Sequence, residues 1–165
     1  MKRIKQRIEP GWDRIQVDIP VRFNEVDSMK IVWHGHYIAW CECAREMFLR
    51  QRGLGYQRMQ ALALAAPVVR LQIEYLRPAK GGDTVAVTCA HVPDSWPRLE
   101  FFYELRSGDG ELLAVAESVQ VFVRGVGPGE HEICLAPPPE VEALMAEIAR
   151  RRAEPVGGAG SRLVK

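Results

Sequence analysis

Residues 36–51 have helical spacing, and nearly every patterned stretch around them alternates instead. Tyr37, Trp40, Cys41, Ala44 and Phe48 fall on one helical stripe, which Ile38 and Met47 widen. The runs 14–23, 68–76, 84–92, 98–106 and 112–123 place apolar residues at every second position, as half-buried strands do. Pro78 with Gly81-Gly82-Asp83, the 93–97 segment Pro-Asp-Ser-Trp-Pro, and Ser107-Gly108-Asp109-Gly110 supply turns between them. Consecutive strands joined by tight turns favour an antiparallel sheet, so one helix must cover its apolar face. A stripe this wide predicts a helix enclosed around most of its circumference, as when a sheet curls around it.

Other signals set the boundaries. Gly53 and Gly55 end the long helix. Pro20 favours an edge or an irregular point in the first strand. Residues 137–152 read as a second helix, with Val141, Leu144, Met145 and Ile148 as its stripe. The expected organisation is an N-terminal tail over 1–12, one α+β domain over 13–153 and a flexible tail over 154–165.

At 165 residues the chain can bury a real core as a single domain. Its net charge of +1 offers no global field for nucleic acid or a membrane, so neither is expected as a partner. The basic residues Lys2, Arg3, Lys5 and Arg7 read as a solvated tail or edge. No apolar segment follows them, so no signal peptide is expected, and no run has the length of a membrane span. The four cysteines form no C-x-x-C pair, which fits a reduced, cytoplasmic protein. His34 and His36 diverge at i,i+2, and no carboxylate or cysteine completes a zinc spacing, so no metal is expected.

The stretch Val21-Arg22-Phe23-Asn24-Glu25-Val26-Asp27-Ser28-Met29-Lys30-Ile31-Val32-Trp33-His34-Gly35-His36-Tyr37, followed by Glu42-Cys43-Ala44-Arg45, resembles the hotdog-fold acyl-CoA thioesterases of the 4-hydroxybenzoyl-CoA thioesterase-like branch. Downstream, Ala66-Pro67-Val68-Val69 and Glu74-Tyr75-Leu76-Arg77-Pro78-Ala79 with Gly82-Asp83 are similar to the same family in the same order. The resemblance covers roughly residues 14–140. It implies a curved antiparallel sheet wrapped around the long helix, a homodimer or homotetramer, and active sites between subunits. It also implies an acyl-CoA substrate and no cofactor beyond the coenzyme A that the substrate carries.

On that resemblance the catalytic carboxylate is Asp27, acting as nucleophile or as general base. The oxyanion donor is the backbone amide of His34, at a helix start where amides lack internal acceptors. Val32, Trp33, Gly35, Tyr37 and Val69 are the expected substrate contacts, with Gly35 allowing close approach to the backbone. The acyl group would lie between the long helix and the 68–76 strand of the partner subunit. One position departs from the family: Lys30 stands where a glycine is usual, three residues after the aspartate.

Other readings compete. Asp27 suits a cap or a turn. Trp33 and Tyr37 suit a core. Glu42 suits a pair with Arg45, although another hotdog branch places a catalytic glutamate on this helix. Cys43 turns away from His34, which argues against a Cys-His nucleophile. A non-catalytic acyl-thioester binder is the alternative function, and Lys30 is the feature that favours it. A hotdog dehydratase would need a histidine segment that this chain does not show.

Overall fold

The computed structural model describes residues 4, 7–93, 98–127, 129–136, 138–153 and 162–163. In chain order its elements are β1 (Arg14–Pro20), α1 (His34–Gln51), α2 (Tyr56–Ala61), β2 (Leu64–Ala65), β3 (Val68–Tyr75), β4 (Thr84–His91), β5 (Arg98–Arg106), β6 (Leu112–Val121), β7 (Val123–Gly127), β8 (Glu130–Ile133), α3 (Pro139–Ala153) and β9 (Arg162–Leu163). The main sheet has the order β3-β6-β5-β4-β1-β9, and β2, β7 and β8 form a smaller one. Every pair in the main sheet is antiparallel except β1 with β9, which run parallel through Val17 and Asp18. This is the α+β hotdog arrangement that the resemblance implies, a sheet packed on one long helix.

The alternation explains the register. Ile15 lies opposite Cys89, Val17 opposite Val87 and Ile19 opposite Val85. Val87 and Cys89 in turn face Leu105 and Tyr103, which face Ala114 and Ala116. Partners across a strand pair share a face, so one slip of register would turn this whole set to the other side. The shared face buries against Tyr37, Trp40, Cys41, Ala44 and Phe48 of α1, and Val141, Leu144 and Ile148 of α3 join the same core. Small alanines on β6 opposite Tyr103 and Leu105 leave room for those larger side chains.

Four details differ from the periodicity. The first strand ends at Pro20, and Phe23 enters a 3-10 turn with its side chain 98% exposed rather than continuing the buried side. The run 112–123 breaks at Phe122, which turns into the core between β6 and β7. The link before β3 holds α2 and β2. α1 starts two residues before the expected 36. Its other end follows the glycine signal: Gly53 has φ +78°, and the Leu54 amide donates to the Leu49 carbonyl at 2.9 Å.

Just before Gly53, Arg52 closes the helix. Its Nε donates to Asp13 Oδ2 at 2.6 Å, a second nitrogen donates to Asp13 Oδ1, and a third to the Phe48 carbonyl at 3.0 Å. The guanidinium lies 3.5 Å from the centroid of the Phe48 ring.

Of the tail over 1–12, Lys2, Arg3 and Lys5 lie outside the described residues, while the Ile4 amide donates to the Glu74 carboxylate. Most of the turn over 93–97 and most of the tail over 154–165 also lie outside them.

Candidate active site

Between β1 and α1 the chain folds back as a small hairpin. Val26 bridges Val32, and the Trp33 amide donates to the Glu25 carbonyl at 2.9 Å. At the tip the Asp27 amide donates to the Ile31 carbonyl at 2.8 Å, and the Lys30 amide to the Asp27 carbonyl at 3.0 Å. Closing so tight a tip needs one residue in the left-handed region. Lys30 supplies it with φ +61°, an angle that glycine adopts without a Cβ penalty. The lysine therefore takes this angle and carries its strain itself.

Asp27 is half-buried. Its Oδ1 accepts the Met29 amide at 2.8 Å, so the turn role open to it in the sequence is filled. Its second oxygen has no partner among the described residues and stays available to another group. The hairpin delivers the chain directly to the start of α1. Trp33 is the N-cap and makes no side-chain cap. The amides of His34 and Gly35 have no acceptor among the described residues, as expected of a helix start without a capping side chain. The helix dipole adds positive potential there. The hairpin that carries the Asp27 carboxylate thus leads directly into the helix start with its unpaired amides. Such a pair suits addition to a carbonyl followed by stabilisation of the oxyanion.

The aromatic residues surround this end. The Trp33 indole is 50% exposed and lies 4.8 Å from the His34 ring and 5.6 Å from the His36 ring, centroid to centroid. A Cβ at Gly35 would stand 2.0 Å from that indole, so the space the glycine frees is taken by the Trp33 ring. Val32 and Tyr37 lie beneath the surface in the core. The Tyr37 hydroxyl accepts the Ala79 amide at 2.8 Å. Val69 is 58% exposed near the start of β3, six residues from the end that reaches the site.

That end is Tyr75, which in the sequence is one more alternating residue. Its hydroxyl donates to the His34 carbonyl at 3.0 Å, and its ring packs edge-on to Tyr37 at 5.3 Å. Burial pushes both tyrosine hydroxyls up from their ordinary value, so each keeps its proton at neutral pH. Glu25, two residues before Asp27, is likewise no site candidate on sequence alone. The available signals were Tyr75 closing an alternating face and an acid at i−2 from the aspartate. Neither pattern shows a hydrogen bond across 41 residues, as from Tyr75 to His34, or across 15, as from Trp40 to Glu25.

Three of the four cysteines are poor rivals as nucleophiles. Burial pushes the thiols of Cys41, Cys43 and Cys89 up, away from the reactive thiolate. Glu42 pairs with Arg45. Among the described residues no group of three or more His, Cys, Asp or Glu is placed to hold a metal ion, and no helix is long and apolar enough to cross a membrane. A cleft of about 380 Å³ lies at the opposite end of α1, between Arg52, Leu54, Arg58, Glu140 and Leu144. It is remote from Asp27.

Comparison with known proteins places this geometry in context. A family model described as the thioesterase-like superfamily matches residues 21–147. The candidate acyl-CoA thioesterase YneP of Bacillus subtilis (strain 168) is 30% identical over 106 residues, covering 64% of this chain and 77% of that protein. The acyl-CoA thioester hydrolase YbgC of Escherichia coli O157:H7 is 28% identical over 106 residues, covering 63% of this chain and 79% of that protein. The crystal structure of the hypothetical protein TT1821 from Thermus thermophilus superposes with a TM-score of 0.69 at 31% identity, covering 79% of this chain and 97% of that one.

Proposed function

The chain belongs to the thioesterase-like superfamily, and from that premise we propose that it is an acyl-CoA thioesterase. It converts a small or medium acyl- or aroyl-CoA and one water into the free acid and the coenzyme A thiol. The observation that supports the reading is the hairpin just before α1: among the described residues one oxygen of its Asp27 carboxylate and the His34 amide that follows it are both without a partner. As a base, Asp27 takes a proton from water while the resulting oxygen adds to the thioester carbon. As a nucleophile, it adds to that carbon itself, and water later hydrolyses the mixed anhydride. In either course the carbonyl oxygen gains charge and the His34 amide donates to it. The carbon–sulfur bond then breaks and the sulfur leaves as thiolate, taking up a proton.

Trp33 and the His34–Gly35 backbone line the approach, and Val32 and Tyr37 support it from beneath. The working unit is a homodimer, alone or within a homotetramer. Antiparallel association of two β3 edges carries the start of one strand to the end of the other. Val69 of the partner subunit then approaches Tyr75 and closes the acyl pocket. No resident cofactor or metal takes part, because coenzyme A enters with the substrate. The free cysteines favour a reducing, cytoplasmic setting.

The test is a panel of acyl-CoA esters with a thiol reporter. Wild type releases thiol from at least one of them. Asp27→Asn, which keeps the acceptor for the Met29 amide but loses the charge, is slower by about a hundredfold or more. Equal rates for the two proteins would remove Asp27 from the mechanism. Tight binding of a CoA ester without thiol release would make the protein a binder.

A further inference from the structure

We infer that Glu25 is a positioning residue for this reaction, the clamp that fixes the Asp27 carboxylate and the His34 amide relative to each other. Among the described residues only two carboxylates are buried, Asp13 and Glu25. Asp13 is matched by the Arg52 guanidinium. Glu25, 7% exposed, has no lysine or arginine against it among the described residues. A buried carboxylate without a fixed cation costs free energy that a neutral side chain would not. The contacts it makes there are therefore the place to look for its role.

Those contacts join three pieces of chain. Glu25 Oε2 accepts the Arg22 amide at 2.8 Å, which closes the 3-10 turn after β1. Oε1 accepts the indole N–H of Trp40 at 3.2 Å, two turns into α1, and lies 3.9 Å from His36 Nδ1 in its first turn. The backbone carbonyl of the same residue accepts the Trp33 amide at 2.9 Å. Asp27 follows Glu25 by two residues, and His34 follows Trp33 by one. One side chain thus anchors the base of the hairpin to the helix, and both reacting groups hang from that base. The substrate-binding surface on β3 makes no hydrogen bond to Glu25 among the described residues. Loosening it displaces the carboxylate from the amide more than it weakens binding, and a displacement of about 1 Å can cost a hundredfold in rate.

This role rests on the thioesterase reading, and the experiment separates the two. Wild type, Glu25→Gln, Trp40→Phe and the double variant are assayed on the best acyl-CoA substrate, with circular dichroism and thermal melts as controls on folding. Gln has the right volume but one acceptor oxygen, so it cannot hold both the Arg22 amide and the Trp40 indole. For Glu25→Gln we expect kcat reduced ten- to a hundredfold, KM within threefold of wild type and an unchanged dichroism spectrum. Trp40→Phe opens the same clamp from the helix side and should lower kcat less. Combining the two should leave kcat within threefold of Glu25→Gln alone. If Glu25→Gln fails to fold, Trp40→Phe still reads the clamp through its own kcat and KM. Overturning results are a wild-type kcat in the folded variants, a loss carried by KM, or a loss that multiplies in the double variant. A wild type inert on every ester retires the thioesterase reading and this role with it. An active wild type with a full-rate Glu25→Gln retires the role alone.

Discussion

Lys30 tests whether the Asp27 loop tolerates its own sequence. A lysine at φ +61° meets a clash between Cβ and backbone that glycine lacks, on the order of 1 kcal/mol or more. Replacing it with glycine relieves that strain but adds freedom to the unfolded chain, which takes back about 0.4–1 kcal/mol. Lys30→Gly is therefore expected to match or slightly exceed wild type, with a melting temperature unchanged or raised by up to about 3 °C for a domain of this size. Lys30→Val, β-branched at the same angle, should lose stability, since such residues are genuine outliers there. Thermal melts of the two variants decide it: a Lys30→Gly protein clearly less stable than wild type would mean that the lysine side chain makes a contact worth more than its strain. The sequence already marked this position as a departure from the family. The structure shows how the departure is accommodated: the lysine itself takes the left-handed angle and the strain that goes with it. Roles such as that of Tyr75 toward the His34 carbonyl were beyond reach, because nothing local at position 75 records a bond made 41 residues away.

At the scale of elements, α1 carries different machinery at its two ends. The N-terminus is left without a side-chain cap, which keeps its amides available. The C-terminus is closed by Gly53 and by the buried Asp13–Arg52 pair. Periodicity was enough to place the helix, its apolar stripe and its glycine stop, because each is a local pattern. It was enough for the four central strands as well. It failed where tertiary packing overrides the pattern, as at Phe122, which leaves the alternation to fill the core, and at Phe23, which leaves it for solvent. The Asp13–Arg52 pair spans 39 residues and has no sequence signature. Its energetics are predictable all the same. Removing one partner strands a buried charge, so Arg52→Met or Asp13→Asn alone should destabilise the protein by about 3–5 kcal/mol. Arg52→Met with Asp13→Asn together should cost less than the sum of the two, since no unpaired charge remains. Urea titration of the four proteins measures this, and additive losses would show that the two groups do not act as a pair.

For the molecule as a whole, the question is what covers the free side of β3. Every other strand of the main sheet between β6 and β1 has a neighbour on both sides, while among the described residues β3 pairs only with β6. An open edge of eight residues is a liability in water unless it is charged, twisted away or covered. This one carries Arg70 and Glu74 but also exposed apolar surface: Val69 is 58% exposed, Tyr75 at its end 44%, and Leu76 just beyond it 51%. The same strand ends at the His34 carbonyl, so whatever pairs with the edge also walls the candidate site. The homodimer proposed above would answer both needs through one two-fold contact. Lysines at Val69 and Leu76 would face their symmetry mates' lysines across such a contact and oppose it, yet would cost the separate chain little, since both positions are exposed. Light scattering should then find wild type at a multiple of the 18.6 kDa chain mass and the double variant at that mass itself. Dichroism should remain unchanged, and thiol release should fall at least tenfold, because each site has lost its far wall. A double variant that stays associated moves the interface elsewhere on the molecule. A monomer that turns over at the wild-type rate shows instead that Asp27, the His34 amide and Tyr75 suffice within one chain.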